Sequence, residues 1–320
     1  MKKRFKQVIF GIAIATACIA LGKMCNQVVS VLRTVTWTWV VFAVTGLTLY
    51  QLLNASIWRD VIAGIGAEVP RGHAMRVWIE SESMKWLPGG IWGYGSRVVN
   101  ARKLGIRPEL ASASLAIELL LTIVAWCTAA LWILPTDRGK YLIDYLSDRF
   151  LQIRVFPWSL AGGALLVLIL LRAVKMDFTK LTWARRFLGS FNSLDWKPQW
   201  LLRSAVSYWG LCLLNGTLLW LVTWAIPGLT VPWPAIIGAG GIAWLAGFFA
   251  IGVPGGIGVR EAALVGMLHP YGPVEAAVAA AMVFRAAQMV AELLALGGSL
   301  FYGWRKNQNA LAISDASVIS

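Results

Sequence analysis

The chain has 320 residues, of which 58% are hydrophobic and only 14% charged, against about 25% charged in soluble domains, which argues against a soluble enzyme. Lys and Arg number 29 against 15 acids, a net charge of +14. With a mean hydropathy of +0.67 and 18 tryptophans, that charge fits a membrane protein better than a nucleic-acid binder.

A helix needs roughly 20 apolar residues to cross the hydrocarbon core. Six stretches qualify, at about 7 to 22, 35 to 57, 109 to 134, 155 to 174, 200 to 226 and 274 to 302. The first follows MKKRFKQ and is short, so a signal peptide is the alternative to an uncleaved first span. The fold expected is an all-α polytopic membrane protein of about six transmembrane helices plus two re-entrant helical hairpins. Residues 1–303 form one membrane domain, followed by a short tail at 304–320.

Charge placement sets the orientation. With a cytoplasmic N-terminus, and with segments 70–107 and 236–268 each returning to the side they entered, 21 basic residues fall inside and six outside. Arg260 and Arg285 fall at membrane depth. Both termini are expected in the cytoplasm of a bacterium, with the protein in its inner membrane.

One pair of segments repeats. PGGIWGYGSR at Pro88–Arg97 and PGGIGVRE at Pro254–Glu261 lie 166 residues apart. The same offset lays span 35 to 57 on 201 to 223, segment 70 to 87 on 236 to 253, and span 109 to 134 on 275 to 300. An odd number of crossings separates the copies, so the repeats, about 35–134 and 201–300, are inverted, as in many transporters. Pro88, Gly89, Gly90 and Gly93, with Pro254, Gly255, Gly256 and Gly258, are expected to form hairpin tips. Irregular backbone at that depth is tolerated where it is buried in protein or lines a watery cavity, so the tips are expected to face each other across one. The alternative is an ordinary pair of helix breakers in loops.

Ionisable groups inside apolar spans are functional candidates. Glu118 lies in ASLAIELLLTIVAW, while Arg285, Gln288 and Glu292 share a helix face in VFRAAQMVAELLAL. Arg260 and Glu261 follow the second tip and Arg97 the first. Arginine suits bidentate phosphate binding, so Arg97, Arg260 and Arg285 are the head-group candidates, with Glu118, Glu261, Gln288 and Glu292 as an intramembrane polar network. The alternative is that these groups pair with one another and fasten the two halves together. Arg76, Glu80, Glu82 and Lys85 form a polar face that either lines the mouth of the cavity or is solvated. His73 and His269 read as loop or interface residues, and Trp58, Trp183, Trp200, Trp233 and Trp304 as interfacial anchors.

Other chemistry is not indicated. Cys18, Cys25, Cys127 and Cys212 have neither disulfide nor zinc spacing, and no metal site is expected. Gly90, Gly93 and Gly95 do not follow a strand, so GIWGYG is not a dinucleotide fingerprint. No P-loop, GxSxG or HExxH occurs. No cofactor and no nucleic-acid partner are expected.

At Leu87, Pro88, Gly89, Gly93, Arg97, the LGI of 104–106, Glu118, the PGGIGVRE of 254–261, Arg285 and Gly297, the chain resembles the lysylphosphatidylglycerol synthase transmembrane-region family, also described as flippase-like. The best-known members fuse this module to a soluble aminoacyl-transferring domain, and there the module is associated with moving the lipid to the outer leaflet. This sequence ends about 18 residues after its last span, so the expectation is a stand-alone member without lipid aminoacylation. The resemblance implies a translocase for an anionic phospholipid or a polyprenyl-linked or hopanoid-type lipid. A non-transporting membrane partner or scaffold of a lipid-biosynthetic enzyme is the second reading. A membrane-embedded transferase ranks below both, because no nucleophile or metal pair accompanies Glu118 or Glu261; the chain is therefore expected not to be an enzyme.

Overall fold

The structure, a computed structural model, describes residues 32–86, 92–133, 136, 195–250 and 254–319. The expected spans 7 to 22 and 155 to 174, Trp183, Cys18 and Cys25, and the first-tip residues Pro88, Gly89 and Gly90 lie outside the described residues. All regular structure among the described residues is helical.

In chain order the helices are α1 (Trp37–Gly64), α2 (Arg71–Glu82), α3 (Trp92–Arg102), α4 (Pro108–Ala130), α5 (Pro198–Ala225), α6 (Trp233–Phe249), α7 (Val259–Leu268) and α8 (Val274–Ile319). Short 3-10 turns at Ser83–Trp86, Leu131–Ile133, Pro254–Gly256 and His269–Tyr271 join or extend them. Among the described residues four segments are long and apolar enough to cross a membrane: Trp37–Gly64, Pro108–Ile133, Pro198–Ala225 and Val274–Gly303. These match four of the six expected spans. The backbone of α8 continues as helix to Ile319, through the stretch read as a tail.

Proline sets the helix starts. Pro108 and Pro198 stand in the first turns of α4 and α5, where the missing N–H costs nothing and the fixed φ suits the helix. Leu120, Val124, Leu202, Leu293 and Leu294 remain more than half exposed on the outer faces of the long helices. Bare apolar surface on this scale is solvated by lipid tails rather than by water.

α1 and α5 are antiparallel and tied at both ends. The Thr36 amide, at the start of α1, donates to the carbonyl of Ala225, the last residue of α5, at 3.0 Å. The Lys197 amide, at the start of α5, donates to Gly64, the last residue of α1, at 2.9 Å. Both helices have 28 residues. The capping residues Thr36 and Lys197 are thus 161 positions apart, as are Gly64 and Ala225. Pro70 and Pro232, which cap α2 and α6, are 162 apart, while Arg107 and Pro273, whose carbonyls accept the first bonds of α4 and α8, are 166 apart. The 166-residue offset therefore does not extend back to the first helices. In the sequence, the stretch between Pro232 and Pro254 is longer than that between Pro70 and Pro88.

Among the described residues the buried apolar side chains fall into several clusters. One joins α1, α5, α6, α7 and α8 around Leu219, Val222, Ile236 and Leu268. A second joins α1, α2, α3, α4 and α8 around Trp58, Ile62 and Trp78, and a third joins α1, α4, α5 and α6 around Val61, Trp126, Leu211 and Ile237. Trp58 is fully buried, and its Nε1 donates to Ser114 Oγ at 3.2 Å. That corrects its reading as an interfacial anchor: the large apolar ring lies in the second cluster and its N–H is satisfied by a serine. Trp200 and Trp233 are only partly buried.

α6 lies against the end of α4 through glycine. A Cβ on Gly241 would stand 2.6 Å from the Ala130 nitrogen, and one on Gly238 2.6 Å from that of Ile133. The obstacle is backbone, which side-chain rotation cannot clear. Gly241→Ala is expected to lower stability by about 1–3 kcal/mol through overpacking, read as a lower melting temperature in detergent. Gly240→Ala, whose nearest neighbour would be 3.7 Å away, is expected to be neutral or slightly stabilising.

Candidate functional site

Described residues of both glycine-rich segments line one cavity, Gly93 and Arg97 from the first and Gly255, Gly256 and Arg260 from the second. The 3-10 turn Ser83–Trp86, which leads to the first, lies against Pro254–Gly256, the turn of the second. Beside them is this cavity of about 460 Å³, to whose wall each of the helices α1 to α8 contributes. Of the sequence candidates, Arg97, Glu118, Arg260, Arg285, Gln288 and Glu292 all reach its wall, as do Gly93, Gly255 and Gly256. Glu261 and Gly258 are not among its lining residues.

The second turn is built from glycines held in the left-handed region, Gly255 at φ 59°, Gly256 at 69° and Gly258 at 81°. A side chain on Gly256 would also run into the Gly247 backbone of α6, with the nearest atom at 2.8 Å. Both facts require glycine there. The freed backbone groups are captured. Arg285 Nη2 donates to the Gly255 carbonyl at 3.0 Å, the Gly258 amide donates to the Glu261 carboxylate at 2.6 Å, and Arg285 Nε pairs with Glu261 at 3.2 Å. A carboxylate in the first turn of α7 also complements that helix's dipole. Arg285 and Glu261 thus clamp the turn to α8.

On the other side, Arg97 is 2% exposed yet fully engaged. Its Nη1 donates to Glu118 at 2.6 Å, its Nη2 to Glu82 at 3.2 Å and its Nε to Ser81 Oγ at 2.9 Å. The rings of Trp58 and Trp78 flank its guanidinium with centroids at 5.6 and 5.1 Å. The second Glu118 oxygen accepts from Trp78 Nε1 at 2.9 Å. Arg97 therefore enters the cavity wall with its charge already compensated.

Arg260 stands in contrast. Among the described residues no carboxylate lies within ion-pairing distance of its guanidinium, and its buried Nε has no hydrogen-bond partner. The neighbouring Arg285 charge acts on it repulsively, and Glu261 and Glu292 act on it attractively from beyond ion-pairing distance. A partly buried guanidinium without a direct ion-pair contact among the described residues leaves a donor to be satisfied, so this corner can seat an anion.

The polar face of α2 divides between the two readings open to it. Glu82 and Lys85 line the cavity, Lys85 reaching Glu82 at 3.1 Å and Glu292 at 2.8 Å. Arg76 and Glu80 pair with each other at 2.6 Å away from it. The opposite wall is aromatic: Trp126 stacks on Trp244, and Trp244 on Phe248, with centroids 5.3 and 5.2 Å apart. His269 is exposed, its Nδ1 3.0 Å from the Gly266 carbonyl.

Tyr50, Gln51, Asn54 and Asn215 also line the cavity. A search for charged residues alone passes over them, although an amide in the middle of an apolar span carries the same physical signal, because its polar groups need partners in hydrocarbon. Gln51 donates to Glu292 at 3.5 Å, while Asn54 Oδ1 is buried without a partner. Among the described residues no group of His, Cys, Asp and Glu could hold a metal ion.

No curated protein gives a significant match to the chain. The sequence model of the family described as the lysylphosphatidylglycerol synthase TM region matches residues 8–295, nearly the whole of the apolar chain including both glycine-rich segments and the entire cavity wall, and this membrane protein belongs to that family.

Proposed function

We propose that the chain is a lipid translocase that takes the head group of an anionic or phosphate-bearing lipid into the polar cavity and moves it between leaflets, without chemistry on the lipid. The observation that carries this reading is Arg260, a guanidinium at the cavity wall whose buried Nε has no hydrogen-bond partner and which makes no ion pair among the described residues. Phosphate is the natural complement to a guanidinium fork. The substrate classes are an anionic phospholipid, a polyprenyl-linked lipid or a hopanoid-type lipid.

The roles divide by geometry. Arg260 holds the phosphate, and Arg285, fixed by Glu261 and Gly255, contributes field and shape. Arg97 and Glu118 form the structural core of the polar network. The antiparallel tie between α1 and α5 supports an arrangement of two inverted repeats. The short apolar α6, followed by the Pro254–Gly256 turn and α7, supports a re-entrant hairpin, with α2 and α3 as its counterpart. The charge bias, 21 basic residues against six, supports a bacterial inner-membrane location with both termini cytoplasmic.

The reading is tested with the full chain in vesicles containing fluorescent phosphatidylglycerol. Protein-containing vesicles should expose inner-leaflet probe to a membrane-impermeant quencher, where protein-free vesicles leave about half protected. An unchanged protected fraction overturns translocation. Activity that appears only when a lipid-synthesising enzyme is added favours the scaffold reading instead, and a change in lipid mass points to a transferase.

A further inference from the structure

A second pocket of about 300 Å³ adjoins the polar cavity, between α2 and α8. The two share Gln51, Trp78, Glu82 and Glu292 as a common partition. Beyond that partition the character changes. Ile79, Met289, Leu293, Ala295 and Leu296 form the rest of the wall with Ser83, so the side pocket is apolar where the main cavity is charged. Met289 and Leu293, one helical turn apart, are 44% and 67% exposed on the outer surface of α8, within a segment long enough to cross the bilayer. The side pocket therefore opens toward lipid on one flank and abuts the head-group cavity on the other.

A membrane lipid is built in the same way, with a charged head joined to apolar chains. We infer that the side pocket takes an acyl chain of the lipid whose head group occupies the polar cavity, so that the ligand enters sideways between α2 and α8. The inference rests on the head-group reading above and adds the place of the chain. Its volume lies at the lower end of the roughly 300–1,000 Å³ typical of small-molecule sites, which suits one chain rather than a whole lipid. Because the partition carries the Lys85–Glu292 ion pair and the Gln51–Glu292 hydrogen bond, an entering lipid separates these contacts and replaces them with its own polar neck.

Two measurements on the full-length protein test the assignment. In the first, phosphatidylglycerol with a diazirine near the end of one chain is photolysed on wild-type protein and the adducts are mapped by mass spectrometry. Labelling of Met289, Leu293 or Leu296 is expected. In the second, Leu296→Trp narrows the side pocket without touching the charged wall. It should weaken binding of dioleoyl phosphatidylglycerol at least about tenfold, the equivalent of roughly two buried methylenes, and leave binding of dihexanoyl phosphatidylglycerol within about twofold. Adducts confined to other surfaces, or equal loss of both lipids in folded Leu296→Trp protein, overturn the chain site while the head-group reading stands. If neither lipid binds the wild-type protein, both readings fall.

Discussion

Arg260→Gln is expected to abolish most anionic lipid binding while making the empty protein more stable. A charge-assisted hydrogen-bonded contact contributes about 1.5–3 kcal/mol, so affinity for phosphatidylglycerol should drop by about 10- to 100-fold, with translocation falling in parallel. The same change removes a partly buried guanidinium whose Nε has no hydrogen-bond partner among the described residues. The melting temperature of the lipid-free variant in detergent should therefore rise. Arg260→Lys keeps the charge but loses the fork, and should retain partial binding. Wild-type affinity in folded Arg260→Gln, or a lowered melting temperature, would show that the guanidinium has a structural task instead.

Glu118→Leu should have the opposite signature. Arg97 is 2% exposed and relies on Glu118 at 2.6 Å, and breaking a buried pair from one side leaves an uncompensated charge, at a cost of about 3–5 kcal/mol. Glu82 limits the loss, since it also contacts Arg97. The double variant Arg97→Met with Glu118→Leu removes both charges and should recover most of the lost stability. Thermal unfolding in detergent distinguishes the cases: if the double variant is no more stable than Glu118→Leu, the pair is not the source of the effect.

These two arginines show where the sequence was legible and where it was not. Both could be marked as unusual, because each follows a glycine-rich break between apolar segments and a guanidinium in hydrocarbon is expensive. Which of them is neutralised depends on residues brought together by folding. Glu118 lies 21 positions from Arg97 and meets it only because α4 packs on α3. Among the described residues no carboxylate comes within ion-pairing distance of Arg260, Glu261 and Glu292 acting on it only from farther away. The four long spans were readable from apolar run length, which is a local property. Trp58 was misread because a tryptophan at the end of an apolar run looks the same whether it faces a membrane surface or a helix partner. The amides Gln51, Asn54 and Asn215 lacked formal charge and drew no attention.

The tie between α1 and α5 restricts how the molecule can move. Each helix start is bonded to the other's end, so shifting one past the other by a turn, about 5.4 Å, would break both bonds at once. Rotation about the common axis stretches neither. The pair behaves as a spindle that permits rocking and resists axial travel. On the translocase reading proposed above, the expected motion is a tilt of the flanking helices about this spindle rather than a sliding of α1 past α5.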